Sequence, residues 1–351
     1  AGLLLRTMAV KSSGTLSFTN IKDEFGLPPN KNFGAYRVSQ SVGDLSGLAL
    51  DNDDNFNALI PQSGQIRFGQ FYGKRLNVVV DYHSGGDEFR PSTGKSKYDG
   101  KKVTVIGGFK TRPSSTAGIK VYLHVNKDLG SKKGAKTLCA LRTGSFSSSA
   151  TVYVDVGDSG AIYGAGGNGG TGYTCDGGSD GVNGTSALGV QTSGVKVRVK
   201  SGGRIQAGYG GGGGAGGGHN DPDKNTQDHA SGGGGGGGGA GFPTGDGGKG
   251  GKNSFGKGDD GGNGSSGSKT GGGNGGGGGD GGGSEGGTGG DGGAPGDNAG
   301  KGGGGSGNVC KGGGRSGGSN GSAIRKAGSG SFSIISGSNR VFGDTSGSGV
   351  S

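Results

Sequence analysis

The side chains of this 351-residue chain that could do chemistry are few: four histidines, three cysteines and some aromatic rings set among glycines. His219 and His229 bracket HNDPDKNTQDH, with Asp221, Asp223 and Asp228 between them. Imidazole and carboxylate groups in one short loop are donors that could hold a divalent cation. The segment reads as a polar, solvated loop that closes one glycine run and opens the next; a metal-stabilised loop is the alternative. His124 follows Leu123 in a strand-like stretch and reads as a half-buried sheet residue. Cys139, Cys175 and Cys310 are far apart and odd in number, with no CxxC and no Cys/His cluster, which suggests neither a disulfide framework nor a zinc site. They read as three unpaired thiols of a protein made in a reducing compartment; one bridge, Cys175–Cys310, is the other possibility. Gly94-Lys95-Ser96 matches the end of a phosphate-binding loop, but the glycine that motif needs five positions earlier is Phe89, and a strand-like stretch follows where a helix is required. No Ser/His/Asp set and no carboxylate pair has the context of an active site. We therefore expect no enzyme activity, no catalytic residue, no metal and no cofactor.

The positioning elements must be built from an unusual composition. Glycine supplies 100 residues, hydrophobic residues are only 26% and tryptophan is absent, so side-chain burial alone cannot hold the whole backbone in place. The net charge of +10 spares the glycine tract: residues 200–322 carry 10 basic and 10 acidic groups. A nucleic-acid tail would be basic there, and RGG repeats are absent, so no nucleic-acid partner is expected. The apolar runs are far too short to span a membrane. The opening AGLLLRTMAV lacks the apolar stretch and cleavage signal of a secretory leader and is not expected to act as one.

Five stretches follow from pattern. Residues 1–75 hold a small module: SGTLSFTNIKDEFG begins with alternation and continues at helical spacing through Ile21 and Phe25, with Thr19 or Asn20 as a cap and Pro28-Pro29 as a stop. FNALIP adds a further turn of helix, and SGQIRFGQFYGK repeats the opening pattern. Residues 76–150 form a β-rich domain within a β region that runs to 160, with LNVVVDY, KKVTVIGGF, IKVYLHV and, at 150–156, ATVYVDV as strands of an antiparallel sandwich or sheet stack. Residues 151–207 carry a repeat at an offset of 43: Val152, Val154, Val156 and Ile162 align with Val195, Val197, Val199 and Ile205. Each copy reads as a short hairpin feeding a glycine run, and 331–343 is a weaker third copy. Residues 208–322 are the glycine tract, and 323–351 a C-terminal strand segment.

The tract keeps no Gly-X-Y register and is not collagen. A flexible linker is one reading. The other is a set of packed polyglycine, polyproline-II-like helices, whose bare backbones approach closely and hydrogen-bond to neighbours with a three-residue period. The fold class expected is mostly β, with a small N-terminal module, a β-rich middle domain and such a glycine-rich domain. Tyr209, Phe242 and Phe255 are the candidate contact residues, because an aromatic ring on a rigid glycine frame orders few rotors. Tyr173 has the same setting.

The N-terminal module resembles one that recurs in structural proteins of tailed bacteriophages. Its first segment, Gly14, Leu16, Ser17, Ile21, Glu24 and Gly26, and its second, Ala58, Leu59, Pro61, Gly64, Ile66, Phe71, Tyr72 and Gly73, follow the pattern of that module. Gln62 precedes Ser63, and Arg67 and Phe68 replace the usual pair, without altering the apolar spacing. The remainder is similar to tail-tip and tail-fibre adhesins, in which valine-rich repeats alternate with glycine stretches. The resemblance implies docking to the virion through Phe18, Ile21, Phe25, Ile66, Phe71 and Tyr72, with a glycine domain exposed to a host cell-surface receptor, a glycan or an outer-membrane protein. It implies other tail proteins as partners, a possible homo-oligomer, and a place in a virion tail appendage after assembly in the host cytoplasm. The alternative function is a glycine-rich structural or ice-binding protein of packed extended helices.

Overall fold

A computed structural model describes residues 10–27, 36, 64–73, 77–82, 102–106, 118–144, 146–221, 229–253 and 257–350. Near the N-terminus, helix α1 (Phe18–Phe25) starts at Ser17, whose Oγ accepts from the Asn20 amide while the Ser17 amide donates to Asn20 Oδ1 at 3.0 Å. The expected cap at Thr19 or Asn20 thus falls on Ser17, because Asn20 is the reciprocal partner of the capping box. Gly26, at φ 85°, ends the helix in a backbone conformation that side chains disfavour. Ile21 and Phe25, one turn apart, bury against Val10, Tyr36 and Phe71. Phe71 lies in a 3-10 turn (Phe68–Phe71), and its ring meets Phe25 edge-on at 5.9 Å and Tyr36 at 5.7 Å. Tyr72 closes the module by donating to the Gly14 carbonyl. Burial also pushes the Tyr36 phenol up to about 12. The turn of helix expected at FNALIP lies outside the described residues, as do His83 and Gly94-Lys95-Ser96.

The middle of the chain is a parallel β-solenoid of four coils. The first coil runs through β3 (Lys120–Val125), β4 (Asp128–Gly130) and β5 (Cys139–Arg142), and the second through β6 (Thr151–Val156), β7 (Ala161–Tyr163) and β8 (Ser186–Val190). The third uses β9 (Val195–Val199), β10 (Arg204–Gln206) and β14 (Ile324–Lys326). The fourth uses β15 (Phe332–Ser336), β16 (Val341–Phe342) and β17 (Gly347–Ser348). Stacking the coils gives three sheets, ordered β15-β9-β6-β3, β16-β10-β7-β4 and β17-β14-β8-β5. The first sheet is extended by β1 (Asn77–Tyr82), parallel to β3, and β2 (Lys102–Ile106), antiparallel to β1.

The expectation of antiparallel strands is therefore corrected. Successive strands of one coil lie on different sheets, so each sheet gathers strands one full coil apart, all running the same way. The stretches 76–150, 151–207 and 323–351, distinct in composition, share these sheets. The 43-residue repeat is the pitch of a coil: Val154 pairs with Val197, Val156 with Val199 and Ile162 with Ile205. It is not a hairpin, since β6 and β7 belong to different sheets. The weaker copy at 331–343 stacks as the fourth coil, Ile334 on Val197 and Val341 on Ile205. Alternate residues of the first sheet point inward, so Val121, Leu123, Val152, Val154, Val195 and Val197 meet Leu129, Ile162, Ile205, Leu141, Leu188 and Ile324 in one core. β-branched residues suit such ladders.

The outward row of the first sheet is polar yet buried. Arg198 grips Asp155 with two hydrogen bonds, Nε to Oδ1 at 2.6 Å and NH2 to Oδ2 at 2.7 Å. His124, next to Asp155 in register, is only 1% exposed, so it is buried more deeply than its reading as a half-buried residue. Tyr122 stacks on Tyr153 at 4.9 Å, and the Arg198 guanidinium lies over the Tyr153 ring.

The glycine tract consists of two insertions at one corner, between the second and third sheets: residues 164–185 in the second coil and 207–323 in the third. Its extended runs are joined by backbone hydrogen bonds that recur every third residue. In the central run, the amides of Gly232, Gly235, Gly238 and Gly241 donate to carbonyls of 259–268. Those of Gly233, Gly236 and Gly239 donate to Tyr173, Gly170 and Gly167, and those of Gly234, Gly237 and Ala240 to Gly287, Gly290 and Gly293. This central run thus bonds in turn to three neighbours, which is why its backbone is satisfied with so little apolar surface. Glycine is required by close approach: a Cβ on Gly236 would lie 2.1 Å from the Gly212 carbonyl oxygen. Apart from β11 (Gly218–Asn220), β12 (His229–Ser231), β13 (Cys310–Lys311) and isolated bridges, the described runs belong to no sheet ladder.

Candidate binding surface

Hydrogen-bond direction gives the runs their polarity. Runs 164–173 and 207–217 leave the solenoid side by side, and the amides of Gly167, Gly170 and Tyr173 donate to Tyr209, Gly212 and Ala215. Runs 178–185 and 312–322 return, with Gly181 and Gly184 donating to Ser316 and Ser319. Between them the chain shuttles, so its turns fall into two sets. Turns at 241–244, 268–271 and 294–298 lie beside the solenoid. Turns at 174–177, 281–284 and 307–311 gather at the far end, together with the described residues 218–221, 229–231, 252–253 and 257–258.

The near set fastens the insertion to its base. Phe242 packs edge-on against Tyr163 at 6.4 Å, and Lys269 lies 5.1 Å over its ring while pairing with Asp128. That hydrogen bond to Asp128 raises the Lys269 pKa. Tyr209 is buried, 3% exposed, with Ala207 and Ala240, and burial raises its phenol pKa. Two of the three expected contact residues, Tyr209 and Phe242, therefore pack at the solenoid end of the insertion. Phe255 lies outside the described residues. A polar cleft of about 570 Å³ opens here between Lys136, Tyr209, Asn298, Asn320, Arg325 and Asp344. Arg325 is engaged, donating to Ser186 Oγ at 3.0 Å, to Ser322 Oγ and to the Ser348 carbonyl.

At the far end, short polar side chains knit the turns together. Thr174 Oγ1 donates to the Lys252 carbonyl at 2.6 Å, and Asn220 Nδ2 to the Gly283 carbonyl at 3.0 Å. The Asn308 amide donates to Asn220 Oδ1 at 2.8 Å, and the Asp221 amide to Asn308 Oδ1 at 3.0 Å. β12, β11 and β13 form a small antiparallel sheet in which His219 opposes Cys310 and His229 opposes Asn220. Cys175, at φ 63°, is disulfide-bonded to Cys310, 135 residues on, so the two insertions are tied at their tips. The reading of three unpaired thiols is corrected in favour of the bridge it left as the other possibility: Cys139, buried in β5, is the cysteine outside the disulfide. Likewise the Cys/His cluster that spacing could not suggest exists in space, formed by Cys175, His219 and Cys310. No local sequence signal could have found it, because three separate runs bring the residues together. Tyr173 and Val309 are exposed on this end, at 45% and 55%.

The expected docking residues lie together in the N-terminal module, three buried and three partly exposed. Ile21, Phe25 and Phe71 are its core, Phe18 and Ile66 pack partly buried against them, and Tyr72 is half-buried. Among the described residues of this module, Leu27 and Phe68 are the exposed large apolar side chains.

No protein-family model matches the chain, and no curated protein does. A solved structure, the gp37-gp38 adhesin tip complex of the bacteriophage S16 long tail fiber, matches at 17% identity, covering 82% of this chain and 90% of that one, with a TM-score of 0.27. At that score the likeness carries no argument. Among the described residues, no helix is long and apolar enough to cross a membrane.

Proposed function

We propose that this chain is a non-enzymatic attachment protein of a phage tail appendage, docked through its N-terminal module and binding a host surface through the far-end turns. One observation carries the reading: a lattice made almost wholly of backbone hydrogen bonds holds a set of turns, 174–177, 281–284 and 307–311 among the described residues, at the end away from the solenoid. Such a frame is indifferent to the sequence of its turns, and variable loops on a rigid scaffold are what surface recognition uses. The three-residue hydrogen-bond period supports reading the runs as threefold extended helices packed side by side. Docking falls to the exposed Leu27 and Phe68, with the buried residues shaping the module that presents them. The resemblance of residues 13–75 to a phage structural module supports the virion side of the proposal.

The test is an exchange of turns. Residues 174, 176–177, 221–228, 252–258, 281–284 and 307–309 are replaced by sequences of equal length and different composition, leaving His219, Cys175 and Cys310 in place. Purified protein should lose binding to its host cells while keeping slow amide exchange in 232–241. Retained binding would make the glycine insertion a spacer and put the adhesive surface elsewhere.

A further inference from the structure

We infer that Cys175, His219 and Cys310 form a zinc site when the disulfide is reduced, so that one cluster clamps the far-end turns in either redox state. The inference is independent of host binding. Each residue is held by its own part of the lattice. His219 and Cys310 face each other across β11 and β13, joined by the amide of Val309 donating to the His219 carbonyl at 3.0 Å. Cys175 arrives on a different insertion. The Tyr173 amide is fixed to Ala215, Thr174 Oγ1 to Lys252, and the Asp176 amide donates to the Thr174 carbonyl at 2.8 Å. The backbone at Cys175 is held at φ 63°, a conformation uncommon for a residue other than glycine, and one that gathers at functional sites.

The chemistry of the set is that of a soft, borderline metal. Two thiolates and an imidazole are the Cys₂His donors of zinc, with bonds of about 2.3 Å to sulfur and about 2.0 Å to nitrogen. Tetrahedral geometry at those lengths puts donor atoms roughly 3.6–3.8 Å apart. Here all three donor atoms already lie within 4.8 Å of one another. Opening the disulfide lets the two bonded sulfurs part to that spacing, and with every donor atom already within 4.8 Å the remaining adjustment is one of side-chain rotation. The three residues are half-buried.

The two states interconvert by balanced steps. Two equivalents of a thiol reductant cleave the Cys175–Cys310 bond, giving two thiols and the oxidised disulfide of the reductant. Zinc then displaces the two thiol protons and binds both thiolates and His219. In the reverse direction a small-molecule disulfide takes two electrons from the thiolates, the Cys175–Cys310 bond re-forms, and Zn²⁺ leaves. Reducing compartments favour the metal form and oxidising surroundings the disulfide.

The test uses the full chain, reduced with a phosphine that binds metal weakly and then titrated with Co²⁺. We expect one equivalent to bind, with the visible bands of tetrahedral cobalt and thiolate charge-transfer absorption, both displaced by one equivalent of Zn²⁺. Cys175→Ser and Cys310→Ser should abolish the charge-transfer signal, and Cys139→Ala should leave it intact. His219→Ala should weaken binding by at least the roughly tenfold to hundredfold seen for lost outer partners. The oxidised protein should bind no Co²⁺. Amide exchange in 232–241, slow before and after reduction, shows that the lattice survives treatment. Absence of cobalt binding by such a reduced, folded protein overturns the proposal, as does binding unaffected by His219→Ala or equal binding by the oxidised form.

Discussion

Replacing Gly236 by alanine tests whether backbone packing orders the glycine insertion. The added Cβ would sit 2.1 Å from the Gly212 carbonyl oxygen and 2.6 Å from its carbon. Neither atom can swing away, because both are main chain. Relief requires the two runs to part by about 1 Å, which is overpacking of the kind that costs about 1–3 kcal/mol. Parting also stretches the bonds that cross the same gap, from Gly212 to Gly237 and from Ala215 to Gly234. Each is worth about 0.5–1.5 kcal/mol net, so the whole effect is about 2–6 kcal/mol. Gly277→Ala is the matched control. It lies on an outer run, its position is exposed, and a Cβ there meets nothing within 4 Å. That change should be neutral or stabilise by about 0.4–1 kcal/mol through the unfolded chain. The assays are thermal unfolding and amide exchange of 232–241. Gly236→Ala should melt earlier and exchange faster than wild type, and Gly277→Ala should not. Equal behaviour of the two variants would refute the lattice argument and leave a chain held only by its ends.

Three further outcomes follow from the fold. Arg198→Leu leaves Asp155 buried without its partner and should cost about 3–5 kcal/mol, while the double change Asp155→Leu with Arg198→Leu should recover much of it; denaturant unfolding of all three checks this. Phe71→Ala empties the centre of the N-terminal core and should cost that module about 3–5 kcal/mol, read as fast exchange in α1 with 232–241 unchanged, together with loss of the protein from assembled particles. Asp344 accepts from Ser346 Oγ and the Ser346 amide and then from Ser322 Oγ, which holds its carboxyl below the usual range. Its folded pKa is depressed, so the stability it gives is present above the ordinary carboxylate range and is lost as pH falls through the folded value. Acid titration should loosen exchange around β17, and Asp344→Asn should remove that pH dependence.

Some of this fold was legible in the sequence, and the reasons differ by element. The strands around Val121, Val152 and Val195 were visible because alternation over five or six residues is a clean signal. The coil pitch was visible because Ile162 and Ile205 keep the same offset as the valines. Parallel pairing was not, since alternation has no direction and the three-residue strands β4, β7 and β10 are too short to show a period. Ser17 was missed as a cap because its partner Asn20 is itself a good capping residue. The sheet direction matters most for the site: with antiparallel hairpins the glycine tracts would start at different places. Tyr209 and Phe242 stood out as rings on a glycine frame and were expected as contact residues, but the end at which they lie was not legible, because chain position does not reveal on which pass of the shuttle a turn falls.

Ordering so much glycine costs about 1–2 kcal/mol per residue in backbone freedom, and no apolar surface offsets it. The solenoid lowers that barrier by supplying a template. β7 and β10 are paired in parallel, Tyr163 on Gln206, and the next amide, Gly164, donates to the Gln206 carbonyl at 2.9 Å. The same partnership continues outward as Gly167 to Tyr209, Gly170 to Gly212 and Tyr173 to Ala215, with the repeat changing from two residues to three as side chains give way to glycine. The returning ends behave alike, with Gly184 bonded to Ser319, then Ala187 to Ser322, as the runs merge into β8 and β14. The lattice is thus a continuation of the sheets rather than a domain set beside them. Its first rows are positioned by the strands they extend, and each further run bonds to the surface of its neighbours. The same continuity fixes the polarity, which sends every second turn to the far end and gives the disulfide-tied cluster and its neighbouring turns a rigid base.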